Sequence, residues 1–354
     1  MEGLAVFSSL TLLAGGAEGE DFTTQAVGYN VTPCQAGSDT IVSVPFHREI
    51  VFHGALLSAP LVSGSTATLN PEGSTPLAGR DFLSTPHYLV FTGASVGAGL
   101  HFPVTVQSDS TVGVDLGSRD LQGVTTGDEF EVIPYWTLDT LFPPGNDTVH
   151  PSTDLLIGNR GTEILFFDRD SASINLAPAR KFFQTADGWK EAARGFPDAS
   201  QVVISPGTSF VIRHPAGVGD TNFVPHQWVP TGVESYDLKS SSAGPRDNHL
   251  ASTRPVPVKL QDLDLAPPAF EESATTDSAD RRDELHVFDN TVAALNRRAS
   301  AVFIRIAGHW VEDDDGQTFP DADDLEIDAG AGLMIRKAAT NDGATTVWVN
   351  TPRY

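Results

Sequence analysis

Three groups of residues in this chain have types and spacings that could do chemistry. Gly93-Ala94-Ser95-Val96-Gly97 fits the G-x-S-x-G pattern, and the apolar run "YLVF" (88–91) precedes it. In a nucleophile elbow such a serine sits on a strained strand-to-helix turn with its hydroxyl exposed. The acidic run "EDDDGQTFPDADDLEID" (312–328) clusters Asp313, Asp315, Asp321, Asp323 and Asp324. Carboxylates gathered on a loop are hard-oxygen ligands of the kind that hold calcium. Finally, an acid-rich chain can supply two carboxylates to flank a glycosidic bond, at a separation the sequence does not set.

Each signal must be judged in its context. An elbow needs a helix after the turn, whereas "AGLHFPVTV" continues from glycine into another strand. Placed over "FVIRHPAGVGDTNFVP" (210–225), the stretch "YLVFTGASVGAGLHFP" (88–103) sets Ser95 against Gly217, which has no hydroxyl. Ser95 is therefore expected in a β-turn. With Gly316 as the loop glycine, an EF-hand would need Val311 as its first ligand and Ala322 as its twelfth, so that template fails. The ten histidines show no H-x-H or H-x-x-x-H spacing, and neither a phosphate loop nor a dinucleotide fingerprint is present. No catalytic constellation emerges, and a non-enzymatic protein is expected, with calcium as the one cofactor the sequence suggests.

The elements that carry these residues read as strands. "TIVSVPF" (40–46), "EFEVIPYW" (129–136), "EILFF" (163–167), "SFVIR" (209–213), "AVFIRIA" (301–307) and "TVWVN" (346–350) are short and rich in β-branched and aromatic residues. Clusters of Gly, Pro, Asp, Ser and Asn bound them, and the chain holds 32 Gly and 24 Pro. Only "DGWKEAARGF" (187–196) hints at helix. The expected class is all-β, with tandem sandwich- or barrel-like units. Forty per cent hydrophobic residues suffice for real cores.

The chain also resembles itself at a spacing of about 122 residues. "TEILFFDRDSASINLAPARKFFQTADGW" (162–189) lies over "DELHVFDNTVAALNRRASAVFIRIAGHW" (283–310), pairing Asp168 with Asp289 and Trp189 with Trp310. Further on, "FPDASQVVISPGTSFVIR" (196–213) lies over "FPDADDLEIDAGAGLMIR" (319–336), pairing Gly207 with Gly330. Self-similarity at a fixed period is the mark of repeated structural units. The tryptophans are expected in cores, the glycines at positive φ, and the aspartates in turns. The organisation expected is an export-like segment over 1–20, an extended stretch over 21–37, and β units over 38–134, 135–257 and 258–354. Residues 236–257 and 265–283 read as long surface connections.

Composition narrows the partners. Forty-six Asp and Glu against 22 Lys and Arg leave a formal charge of −24, which repels nucleic acids and anionic lipid surfaces. One cysteine, Cys34, excludes an internal disulfide. "LAVFSSLTLLAGGA" (4–17) has the length and small-residue ending of a secretory apolar region, without a basic stretch before it. No later segment is apolar over the ~18 residues a membrane-spanning helix needs.

"AVGYNV…GSDTIVSVPF", "GDEFEVIPYWTLDTLFP", "DELHVFDN" and the final "IRK…VWVNTPRY" resemble a family of uncharacterised secreted proteins of Verrucomicrobia and related bacteria. The resemblance implies an exported, β-rich architecture and no particular activity. The function expected is a secreted or cell-surface structural protein. Its extended segment "DFTTQAVGYNVTP" (21–33) is expected to pair within its own first unit, with addition as a strand to another copy of the chain as the alternative. The alternatives are a carbohydrate- or ligand-binding module using Trp136, Trp228 or Trp348 against an extracellular polysaccharide, and a glycoside-processing enzyme.

Overall fold

Alternation of apolar and polar residues over four to seven positions, broken by turn residues, yields an almost entirely β structure. The computed structural model describes residues 25–93, 97–314 and 316–353. The export-like segment over 1–20, Ser95 and Asp315 lie outside the described residues. Helix is confined to short pieces such as Leu138–Leu141, capped by Thr137. Residues 188–191, where a helix was the alternative, form a strand. Among the described residues, no helix is long and apolar enough to cross a membrane.

Three bodies result. The first is a seven-stranded antiparallel sheet in the order Phe52–Ala55, Glu129–Pro134, His87–Phe91, His101–Gln107, Val112–Asp115, Thr66–Leu69, Leu61–Ser63. One face closes over Phe91, Phe102, Val112, Phe130 and Val132. The second body is a five-stranded sheet in the order Gly188–Glu191, Arg180–Thr185, Glu163–Phe166, Phe210–Arg213, Asp39–Val42. The third has His309–Glu312, Ala301–Ile306, Glu284–Val287, Gly332–Lys337 and Arg246–Ala251 in the same relative order. Trp189 and Trp310 sit at zero exposure in these two cores. Burying a ring of that size removes some 150–250 Å² from water.

Strand pairing sets boundaries that differ from those read along the chain. Asp39–Val42, expected in the first unit, pairs with Phe210–Arg213 of the second. Arg246–Ala251 and Glu234–Lys239, expected in the second unit, pair with Gly332–Lys337 and Thr345–Asn350 of the third. Residues 236–257 are thus no surface connection. Several of their polar side chains are buried with partners: Asn248 accepts from the Lys239 amide at 2.8 Å and donates to the Lys239 carbonyl at 2.9 Å. Arg246 donates to the Arg169 carbonyl, and Asp247 pairs with Arg336. Likewise 265–283 delivers Phe270 to the third core.

The extended segment is neither free nor part of the first body. Val27–Tyr29 pairs with His226–Trp228, and Thr32–Cys34 with Thr221–Phe223. Deleting residues 25–34 should therefore destabilise the second body by several kcal/mol, as lost ladder bonds and the vacated Cys34 site predict. The association state of the chain should not change. Thermal unfolding with sedimentation checks both, and an unchanged transition would refute the pairing.

Candidate functional site

Period-two alternation gives the first sheet a second face. While Leu89, Phe91, Phe102, Phe130 and Val132 point into the core, Tyr88, Val90, His101, Glu131 and Ile133 point the other way. Register lines them up: Glu131 lies opposite Val90 and Val90 opposite His101, with Ile133 opposite Tyr88 in the next row. This face is the floor of a cleft of about 450 Å³, within the range of small-molecule sites.

The opposite wall is the segment from Pro230 to Tyr236, which leads into the third body. It is held by close backbone approach at Gly99, whose φ of +74° would strain any other residue. A Cβ there would come within 2.6 Å of the Val233 carbonyl. Ser235 donates from its amide to the Gly99 carbonyl at 3.1 Å and from its hydroxyl to Ala98 at 2.9 Å. Arg119 adds an ion pair to Asp237 at 2.9 Å. Tyr236 meets His101 edge-on at 6.2 Å, and Tyr88 meets His101 at 6.0 Å.

The electrostatics of the cleft are unusual. Burial raises the Glu234 carboxyl to about 7, although the Thr253 and Tyr236 hydroxyls and the Arg254 charge oppose it. Burial also raises Glu131. His101 is lowered to about 3 by burial, then by the Arg119 and Arg169 charges, and is neutral at pH 7. The Tyr236 ring is 1% exposed, and neither its hydroxyl nor that of Thr253 makes a hydrogen bond of ordinary geometry.

Residues singled out in the sequence fall elsewhere. Gly207 and Gly330 have φ of +69° and +66°, and Gly207 abuts the Tyr236 ring. Asp168 and Asp289 accept from the amides of Asp170 and Thr291, each two residues on, at 2.8 and 2.7 Å. The described carboxylates of the proposed calcium loop, Asp313, Asp321, Asp323 and Asp324, have separate partners. Asp313 pairs with Arg281, Asp323 with His309 and the Trp310 amide, and Asp324 with Lys259. Asp321 accepts from the Asp323 amide. Among the described residues, no three His, Cys, Asp or Glu groups converge as a metal site. Of the tryptophans considered for sugar stacking, Trp348 is fully buried and bonds the Leu263 carbonyl. Trp228 is half-buried in the ribbon with Val27–Tyr29. Trp136 is half-buried in a recess that also holds Tyr88 and Glu234.

Sequence reasoning missed Glu131, Glu234, Tyr88, Tyr236 and His101. The signal available was the polar residue inside "EFEVIP", since a carboxylate flanked by core phenylalanine and valine must face outward. Nothing local marked Glu234. Compared with known proteins, the chain matches no family model, no curated protein and no solved structure.

Proposed function

We propose that the protein is an exported, β-rich ligand-binding protein, and that the cleft between the first sheet and residues 230–236 takes a neutral, hydroxyl-rich ligand of the sugar class. The observation that carries this reading is the polar cluster of the Tyr236 and Thr253 hydroxyls around the protonatable Glu234 carboxyl, with Tyr236 and Glu234 lining the cleft. Sugar recognition combines aromatic rings with acceptors and donors for hydroxyls, and Tyr88, Tyr236, Glu131 and Glu234 supply both. Assembly by donating residues 21–33 is less well supported, because the ribbons formed by Val27–Tyr29 and Thr32–Cys34 would first have to open.

Titration calorimetry against a panel of neutral oligosaccharides tests the reading. Tyr236→Phe should weaken the best ligand about tenfold while leaving the free protein as stable or more so. Absence of binding across the panel, or unchanged affinity in the variant, would sink it.

A second reading follows from the same carboxyl. A glutamic acid still protonated near neutral pH has the character of a general acid, and Glu131 is the second carboxylate of the cleft. Glycoside hydrolysis by the protein, lost in Glu234→Gln with binding retained, would select this reading over simple binding.

A further inference from the structure

The second and third bodies meet through reciprocal contacts. Asn296 donates its amide to Asp39 at 2.7 Å and accepts from Arg213 at 2.9 Å, while Asp39 holds Arg213 through two bonds of 2.6 Å. In the other direction, Asn175 donates its amide to Asp247 at 2.6 Å and accepts from Arg336 at 3.1 Å. Both asparagines have positive φ, 53° and 51°. Between these contacts lies a cavity of about 460 Å³, distinct from the cleft.

Two cross-strand rows line it. Ile41, Val211 and Leu165 are neighbours by register on one sheet; His249, Met334 and His286 are neighbours by register on the other. The rows therefore match in position and differ in chemistry. The same is true of the mouth, where Leu176 and Ala177 stand on one side and Arg297 and Arg298 on the other.

The arginines are poorly compensated. Arg213 and Arg336 are committed to Asp39 and Asp247. Arg297 donates only to neutral oxygens, the carbonyls of Asp39 and Asp289 and the Ser38 hydroxyl. Arg298 is exposed and makes no hydrogen bond or ion pair among the described residues. Deeper in, His249 is 8% exposed, lies flat on Phe167 at 3.8 Å, and has an Nε2 without a partner. In a chain of net charge −24, two adjacent arginines that form no ion pair among the described residues, with the Asp289 and Asp39 carboxylates acting on Arg297 only from beyond contact, stand at the apolar rows of the cavity and form a site for an anion.

We propose that this cavity binds an amphipathic organic anion, its apolar body against the Ile41 row and Phe167 and its carboxylate or sulfonate on Arg298 and the free His249 nitrogen. Neither a small inorganic anion nor a neutral hydrocarbon would use both halves of the site. An anion of this class satisfies the cation, the orphaned nitrogen and the apolar wall together.

Calorimetry on the full chain with 1-naphthoate, and with 1-naphthalenemethanol as its neutral counterpart, tests the proposal. Naphthoate should bind about tenfold more tightly than the alcohol, and Arg298→Gln should remove that advantage. Because Arg298 is exposed and has no hydrogen bond or ion pair among the described residues, the variant should fold normally. Glu234→Gln, which alters the cleft, should leave naphthoate affinity unchanged. The proposal is overturned by no binding at millimolar naphthoate, by equal affinity for acid and alcohol, by indifference to Arg298→Gln, or by loss of binding in Glu234→Gln.

Discussion

Replacing Gly207 by alanine is expected to destabilise the protein by about 3 kcal/mol or more and to abolish ligand binding in the cleft. Two effects add at this position. The backbone has φ of +69°, a conformation that costs a residue with a Cβ about 1 kcal/mol or more. A Cβ there would also stand 2.1 Å from Tyr236 Cε1 and 2.4 Å from Cδ1. The ring cannot yield without moving, since it is 1% exposed and packed against Trp348 at 5.8 Å. Its displacement carries the hydroxyl and the neighbouring Glu234 with it. Gly64→Ala is the control, because Gly64 has φ of +60° with nothing within 4 Å of its added Cβ. Urea denaturation of both variants separates the backbone cost from the clash. Equal destabilisation would show that Tyr236 is not held by Gly207.

The second large effect is pH-dependent. Glu234 has a folded pKa of about 7, above the ordinary value of 4.5. Between these values the folded state holds a proton that the unfolded state has released, so stability falls as pH rises through that window. The penalty is complete above pH 7 and absent below about 4.5; a displacement of this size is on the order of 3 kcal/mol. Glu234→Gln keeps the shape and cannot ionise. It should match the parent protein at pH 4.5 and exceed it in stability at pH 8, with the gap opening through pH 5–7. His101 works in the opposite direction. Its pKa is depressed to about 3, so the stability it contributes as a neutral ring is present above 6.5 and is lost as pH falls toward 3. Unfolding free energies from urea titrations at pH 4.5, 6 and 8 suffice. A constant difference between Glu234→Gln and the parent across that range would show that Glu234 ionises normally in the fold.

How much of this was legible differs between fold and site. The β class followed from local chemistry, because alternation in "EFEVIP" and "SFVIR" and the turn residues around them act over a few positions. The short helix hint over 187–196 gives way to tertiary pairing, which overrides a weak local preference: Gly188–Glu191 is completed by ladder bonds to Arg180–Thr185. The unit boundaries failed for a related reason. A strand such as Asp39–Val42 pairs with a partner 170 residues away in sequence, and no local pattern names that partner.

The acidic run over 312–328 shows the limit for sites. Its carboxylates are adjacent in sequence, yet Asp313 pairs with Arg281 and Asp324 with Lys259 from other segments, while Asp323 pairs with His309 of the neighbouring strand. Conversely, Glu131 and Glu234 are far apart in sequence and share a cleft. Sequence by itself determined the β architecture, the acidic surface and the residues that can carry charge, since these depend on composition and short-range periodicity. Tertiary structure alone decided which strands pair, which carboxyl is stripped of water until it holds its proton, and which arginines of the described residues find a carboxylate. Burial and charge pairing are set by neighbours in space, and those neighbours come from three different bodies of the fold.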